Sequence, residues 1–159
     1  MIVSAQRRRT LLIVGAVVAS VLAIAAIPVV RDGSSRGYRF VASSAFGGHS
    51  KEGNLTDEGA YALLFHTRNE RNPWVEVDLG SEIDVHRIEI DNRVDCCKDR
   101  ALPLLVEVAG EDRTYSPVAE KTDVFDHWDV DLPAGTRARF VRLTALRKTM
   151  LHLHSIRVR

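Results

Sequence analysis

The stretch Pro73–Gly80 reads P-W-V-E-V-D-L-G and decides the fold predicted for this chain of 159 residues. Its apolar residues, beginning at Val75, alternate with Glu76 and Asp78. Because successive side chains of a strand point to opposite faces, this alternation predicts a β-strand with one face on a core. Half-buried strands of this kind are typical of antiparallel sheets.

Similar patterns extend from this stretch toward both ends of the chain. Turns are predicted at Gly80-Ser81 and at Gly110-Glu111-Asp112, and no segment after residue 37 shows a helical stripe. In the last apolar segment the parity changes near His154-Ser155, which predicts a β-bulge. Short strands at roughly 10–15-residue spacing predict an all-β fold, an antiparallel β-sandwich formed by residues 38–159. The predicted strands are Tyr38–Val41, Trp74–Leu79, Val85–Ile90, Leu104–Val108, Trp128–Leu132, Ala138–Thr144 and Leu151–Val158.

The N-terminal part of the chain has a different composition. Residues 11–30 form an apolar run without a charge, which as a helix spans about 30 Å, and Arg7, Arg8 and Arg9 precede it. We predict a cytoplasmic basic tail at 1–10, a transmembrane signal anchor at 11–30 and a Gly/Ser-rich linker at 31–37. The domain 38–159 then lies outside the cytoplasm on a single-pass membrane protein.

A cleaved signal peptide is the main alternative for the same N-terminal segment. Ala23-Ile24-Ala25 fits a small-x-small cleavage site, and the arginines also fit a weak twin-arginine export signal. Either alternative gives a secreted domain. All three interpretations place the domain where a disulfide can persist.

Composition excludes several classes of function. Lys+Arg number 22 and Asp+Glu 21, so no basic face for nucleic acid is predicted. The sequence contains no paired-carboxylate cleft pattern, nucleophile elbow or zinc signature. We therefore expect a binding module and not an enzyme.

The loop Arg93–Arg100, which reads R-V-D-C-C-K-D-R, lies between two predicted strands. Each guanidinium presents five donors in a planar fork, so two that converge would match vicinal hydroxyls or a carboxylate. Asp95 and Asp99 are placed to hold the two forks. The alternative is a solvated turn whose exposed ion pairs each contribute about 0–1 kcal/mol.

Cys96 and Cys97 are the two cysteines of the chain, and they are adjacent. Consecutive Cα atoms lie about 3.8 Å apart, so a bond between these cysteines would close an eight-membered ring. They could instead be reduced and half-buried, bridge to another chain, or bind a soft metal with a histidine. A separate metal pair is possible at His152 and His154, which would share a strand face, although no third ligand is evident.

These features together resemble the discoidin or coagulation-factor C-type domains, and among them the fucose-binding fucolectins. Pro73–Gly80 and the later R-F-V-R-L at Arg139–Leu143 carry the general resemblance. The fucolectin motif is a histidine, an arginine 27 positions later, and R-x-D-x4-R. Here His66 precedes Arg93 by 27 positions, and Arg93-x-Asp95-x4-Arg100 completes the motif.

The resemblance implies a jelly-roll sandwich that binds a fucosylated or similar glycan through loops at one end. It implies sugar hydrogen bonds from His66, Arg93 and Arg100, and a disulfide between Cys96 and Cys97 that stacks on the sugar ring. Asp95 would hold a sugar-binding arginine in position without contacting the sugar itself. A pocket for the fucose methyl group would come from the loop at Leu63–Phe65.

The resemblance also implies a structural calcium ion, for which this chain has a depleted ligand set. His49 and Ser155 stand where the family has oxygen ligands, and calcium requires 6–8 oxygens. Glu52 and Asn54 are the remaining candidate ligands. We expect weak single-site affinity and several copies, on a membrane or in an oligomer. A discoidin-type adhesion module that binds a protein or phospholipid headgroup is the alternative, and a redox role for Cys96-Cys97 is a third.

Overall fold

The computed structural model describes residues 37–56 and 62–159. The predicted basic tail, the membrane segment and nearly all of the linker lie outside these ranges. In the part of the chain that is described, no helix is long and apolar enough to cross a membrane.

Thirteen strands, most of them short, form in the described residues. A 3-10 turn at Lys98–Ala101 interrupts them. The strands are β1 (Arg39–Ala42), β2 (Glu52–Asn54), β3 (Phe65–His66), β4 (Glu70–Arg71), β5 (Trp74–Asp84), β6 (Arg87–Asp91), β7 (Leu104–Ala109), β8 (Ser116–Lys121), β9 (His127–Asp131), β10 (Arg137–Ala145), β11 (Lys148–Thr149), β12 (His152–Leu153) and β13 (Ser155–Val158).

These strands pair into two main sheets and two short ribbons. The larger sheet has the order β2-β1-β5-β10-β7-β8, and the smaller sheet has the order β13-β6-β9. The ribbons pair β3 with β12 and β4 with β11. Every pair is antiparallel, which confirms the predicted all-β antiparallel sandwich.

The core lies between the two main sheets. Val75 and Val77 of β5 and Val141 of β10 are fully buried, as are Ile88 and Ile90 of β6 in the smaller sheet. Full burial of each such aliphatic side chain contributes about 1.5–3 kcal/mol. Because the strand faces supply this core, the loops at the sheet ends are available for polar side chains.

The predicted turn at Gly80-Ser81 is wrong, because β5 continues through it as one strand of 11 residues. Gly80 has a φ of +82°, a backbone conformation that glycine adopts without strain, and its N–H donates to Asp78 Oδ1 over 2.8 Å. On the neighbouring strand the register shifts between Ala138 and Phe140. The glycine therefore marks an irregularity inside a long strand pair.

Other strand boundaries differ from the prediction in smaller ways. The strand predicted at Val85–Ile90 begins at Arg87, and β8 was missed because Ser116–Lys121 lacks apolar alternation. The sequence predicts a β-bulge near His154-Ser155, but the last segment divides there into two strands, β12 paired with β3 and β13 paired with β6.

The outer face of the larger sheet carries a buried carboxylate, Glu76. It accepts hydrogen bonds from Tyr115, from Arg113 at 2.8 Å and from Arg142 at 2.6 Å. Burial alone would raise the pKa of Glu76, but these three donors lower it below its ordinary value. The Arg113 guanidinium also lies 3.9 Å from the ring centroid of Phe140, so the segment after β7 is held against the sheet.

Candidate functional site

His66 lies in the β3–β12 ribbon and lines a cavity of about 390 Å³. Arg93 reaches the same cavity from the loop that follows β6. The structure therefore brings these two predicted site residues together, although 27 positions separate them in the sequence. The lining consists of Phe46, Gly47, His49, Leu63, His66, Arg93 and Asp95.

The ring of His66 is enclosed by three other rings. His152, its direct partner in the ribbon, has its ring centroid 5.0 Å away, and the rings of Phe46 and His49 are each at 5.4 Å. The Nδ1 atom of His66 lies 2.8 Å from the carbonyl oxygen of Thr67. Since a carbonyl can only accept, Nδ1 carries the proton, and Nε2 of the neutral ring is left as an acceptor.

The surroundings of His66 favour its neutral form. Burial lowers the pKa of His66 most strongly. The hydrogen bond to Thr67 opposes this shift, and the guanidinium groups of Arg93 and Arg100 lower the pKa further. Burial also lowers the pKa of His49, together with the nearby His66 and Arg93. The site therefore presents a neutral acceptor among cationic donors at neutral pH.

Arg93 is held by the aspartate that the sequence predicted. Its Nε and Nη2 atoms donate to the two carboxylate oxygens of Asp95 over 2.6 and 2.7 Å. These bonds lower the pKa of Asp95, so the carboxylate stays charged. The Arg93 backbone N–H donates to Asn92 Oδ1, and the buried Asn92 donates to the carbonyls of Lys98 and Phe125. The fork is thus oriented by a network that joins two loops.

Arg100 extends from the 3-10 turn and does not line the cavity itself. One guanidinium nitrogen lies 3.9 Å from the sulfur of Met150, and Thr149 donates to the Arg100 carbonyl over 3.0 Å. The prediction that Asp99 holds this arginine is wrong. Asp99 faces Arg147 instead, at 3.4 Å, because the 3-10 turn directs positions 99 and 100 to different sides.

Cys96 and Cys97 are joined by a disulfide, with Cα atoms 3.8 Å apart. Cys97 has a φ of 58° and precedes the 3-10 turn that carries Arg100. No cysteine is free within the described ranges, so the reduced, intermolecular and metal-bound alternatives do not describe this structure. The pair lies beside Arg93 in the chain but outside the cavity lining.

The loop between β1 and β2 supplies cavity-lining residues that the sequence prediction missed. Phe46, Gly47 and His49 line the cavity, and 48% of Phe46 remains exposed. The sequence feature that could have indicated a binding loop here is a phenylalanine followed by two glycines among polar residues. Of the residues predicted to form a methyl pocket, Leu63 lines the cavity, whereas Phe65 is fully buried in the core.

No cluster of three or more metal-ligating His, Cys, Asp or Glu side chains occurs in the described parts of the chain. Glu52 and Asn54 are exposed on the edge strand β2, and calcium at these two residues stays a prediction. The predicted shared face of His152 and His154 is wrong. His152 is fully buried, whereas the exposed His154 lies in the bend between β12 and β13 with its Nδ1 atom 2.5 Å from the Ala62 carbonyl.

Solved structures of similar fold include lectins. The lectin domain of lectinolysin, solved with Lewis B antigen, is 26% identical, with a TM-score of 0.65 over 81% of this chain and 96% of that domain. A fucolectin from striped bass (Morone saxatilis) serum has a TM-score of 0.61 at 19% identity, over 75% of this chain and 45% of that one, and shows the fold alone.

Curated relatives match over shorter segments. Fucolectin-5 of Anguilla japonica is 36% identical over 53 residues, which are 33% of this chain and 28% of that protein. A pentraxin fusion protein of Xenopus laevis is 30% identical over 63 residues, or 36% of this chain and 15% of that protein. This chain therefore spans less than a third of either relative.

A family model described as a NedA-like, galactose-binding domain of the F5/F8 type C class matches residues 52–143, more than half of the chain. The matched segment contains β5, most of β10 and the whole Arg93–Arg100 loop. With this match, the fucolectin relatives and the antiparallel sandwich, the chain belongs to the F5/F8 type C family of galactose-binding-like domains, as a fucolectin-like member.

Proposed function

We propose that this protein is a non-catalytic carbohydrate-binding module, a fucose-type lectin. The observation that carries the proposal is the pairing of His66 and Arg93 in one cavity. A sugar hydroxyl both donates and accepts hydrogen bonds. The neutral Nε2 of His66 can accept from one hydroxyl, while the oriented fork of Arg93 donates to its neighbours.

The apolar part of the lining supports a deoxy sugar. Leu63 and the exposed ring of Phe46 lie in the same cavity as the polar groups, and they match a methyl substituent. Lectinolysin, whose lectin domain was solved with Lewis B antigen, supports the same class of ligand. The Cys96–Cys97 disulfide and Arg100 would complete the contact with the sugar, as the family resemblance implies.

The carboxylates near the cavity support binding and not hydrolysis. Asp95 is the one carboxylate among the described residues that line the cavity, and both of its oxygens accept from Arg93. Glycoside hydrolysis normally requires two carboxyl groups that flank the bond. With a single carboxylate already engaged, the cavity is suited to holding a sugar unchanged.

Affinity at one such site is expected to be modest. Hydrogen bonds to charged groups contribute about 1.5–3 kcal/mol each, so three of them give a Kd of roughly millimolar to micromolar. Useful binding then requires several copies, supplied by an oligomer or by a membrane. We propose display outside the cytoplasm, anchored by residues 11–30, with secretion as the alternative.

A glycan array tests the proposal. Wild-type protein should bind fucosylated glycans, and His66→Ala and Arg93→Ala should each reduce binding by about ten- to a hundredfold. Arg87→Ala is the matched control, because Arg87 also pairs with an aspartate but lies within β6, outside the cavity lining. Array binding that survives both cavity substitutions would contradict the proposed site.

An adhesion function is a second candidate. Val94, in the Arg93–Arg100 loop, is 73% exposed, and an exposed apolar side chain is suited to contact a protein or a phospholipid surface. Binding to phosphatidylserine vesicles that persists in excess free fucose and is lost in Val94→Asp would support this candidate.

A further inference from the structure

The 3-10 turn that carries Arg100 is bonded by side chains from a segment far along the chain, residues 147–152. A helical turn leaves its last carbonyl groups without regular partners, so other groups must bond them. Thr149 Oγ1 donates to the carbonyl of Arg100 over 3.0 Å, and Arg147 Nη2 donates to the carbonyl of Asp99 over 2.5 Å. The segment therefore holds the backbone at Arg100 and at the residue before it.

The side chain of Arg100 contacts the same segment. One of its guanidinium nitrogens lies 3.9 Å from the sulfur of Met150. Thr149, the residue before, is 7% exposed, so little water competes for its hydroxyl bond. Arg93, in contrast, is held by Asp95 within its own loop. The two arginines of the predicted site are thus oriented by different parts of the chain.

The other end of residues 147–152 supports His66. The N–H of Leu151 donates to Thr67 Oγ1 over 2.8 Å, and its carbonyl accepts from the Thr67 N–H over 2.9 Å. The carbonyl of Thr67 is the acceptor for Nδ1 of His66. The residue after Leu151 also pairs with His66 across the β3–β12 ribbon. One short segment therefore supports His66 at one end and Arg100 at the other.

We propose that Thr149 and Arg147 are positioning residues of the sugar site, which hold Arg100 where it can donate to a sugar bound at His66. Neither is among the described residues that line the cavity, so both act through Arg100. Hydrogen bonds weaken steeply when the donor is misaligned, so a shift of the 3-10 turn would weaken sugar binding. The inference rests on the proposed function, in which Arg100 contacts the sugar.

Ligand-observed NMR titration with methyl α-L-fucoside tests the role of Thr149. Thr149→Val removes the hydroxyl at nearly constant shape and should reduce affinity about three- to tenfold, whereas Thr149→Ser keeps the hydroxyl and should bind like the wild type. Arg100→Ala alone should reduce affinity about tenfold. Adding Thr149→Val to Arg100→Ala should cause no further loss, because the side chain that Thr149 positions is gone. A general disturbance of the fold would instead lower affinity in both backgrounds.

Arg147→Ala supplies a second variant, at an exposed position where the fold should tolerate the change. It should lower affinity about threefold, and only while Arg100 is present. Thr136→Val and Arg137→Ala are the matched controls. Thr136 and Arg137 also donate to backbone carbonyl groups, but they lie at the other end of β10. Both controls should bind the fucoside like the wild type.

Three results would overturn the positioning role and leave the lectin function standing. These are wild-type affinity in both Thr149→Val and Arg147→Ala, an equal loss of affinity with and without the Arg100 side chain, and wild-type affinity in Arg100→Ala. A wild-type protein that binds neither the fucoside nor any sugar of a glycan array would overturn the proposed function, and the positioning role with it.

Discussion

His152 leads to a quantitative prediction about acid stability. Its side chain is fully buried beneath His66, and neither ring nitrogen has a hydrogen-bond partner on another described residue. Burial, followed by the charge of Arg93 and the nearby His66, lowers the pKa of His152 to about 4 from an ordinary 6.5. We predict that this one residue makes the domain sensitive to mild acid.

The direction in which pH changes the folding stability follows from proton linkage. Above pH 6.5 His152 is neutral in both the folded and the unfolded state, so its stability contribution is fully present. As the pH falls from 6.5 toward 4, the unfolded chain takes up a proton that the folded chain refuses, and stability is lost. One unit of pKa corresponds to about 1.4 kcal/mol, so the loss by pH 4.5 is roughly 2–3 kcal/mol.

Urea denaturation of wild type and His152→Phe at pH 7 and pH 4.5 measures this loss. Phenylalanine keeps a ring against His66 but cannot take up a proton, so the variant should lose roughly 2–3 kcal/mol less than wild type between the two pH values. His86→Phe makes the same exchange at an exposed position, and its loss of unfolding free energy between the two pH values should equal that of the wild type. Equal acid sensitivity of wild type and His152→Phe would refute the reasoning.

Four further predictions concern the site, the outer face and the metal. Sugar affinity should fall as the pH drops below the lowered pKa of His66, since protonation removes its acceptor, and His66→Gln should bind weakly without this pH dependence in fluorescence titrations. Arg93→Lys should reduce affinity about tenfold, because an ammonium group cannot engage both Asp95 oxygens, whereas Arg87→Lys should not. Glu76→Gln should cost about 2 kcal/mol of unfolding free energy, because it leaves the part-buried Tyr115 and Arg142 without a charged acceptor. A calcium ion at Glu52 should raise Tm relative to chelator, and Glu52→Gln should remove that shift.

Much of the fold could be predicted because its signal is local. The alternation in Trp74–Leu79 reports burial of one strand face directly, and six of the predicted segments contain observed strands close to their expected bounds. The continuation of β5 through Gly80 could not be predicted, since a glycine with positive φ has the same sequence signal in a turn and in an irregular strand. β8 was missed because its partner β7, and not its own composition, stabilises it.

In the candidate site, too, some features could be predicted from the local sequence and others depend on tertiary contacts. The spacing of His66, Arg93 and Arg100 was readable from the chain alone, together with the resemblance it carries. The roles of Phe46 and His152 were not readable, because each acts through a ring contact with His66 that depends on how separate segments pack.

The sequence by itself determined the strand faces, the adjacent cysteines and the positions of the candidate site arginines, all of which depend on residue order. Only the tertiary structure decided which nitrogen of His66 is left as an acceptor, since that depends on the contact between Nδ1 and the carbonyl of Thr67. It also brought Arg71 opposite Lys148, through a pairing between strands 77 positions apart. Hydrogen-bond geometry and electrostatic fields act through space, so contacts of this kind emerge only when the chain has folded.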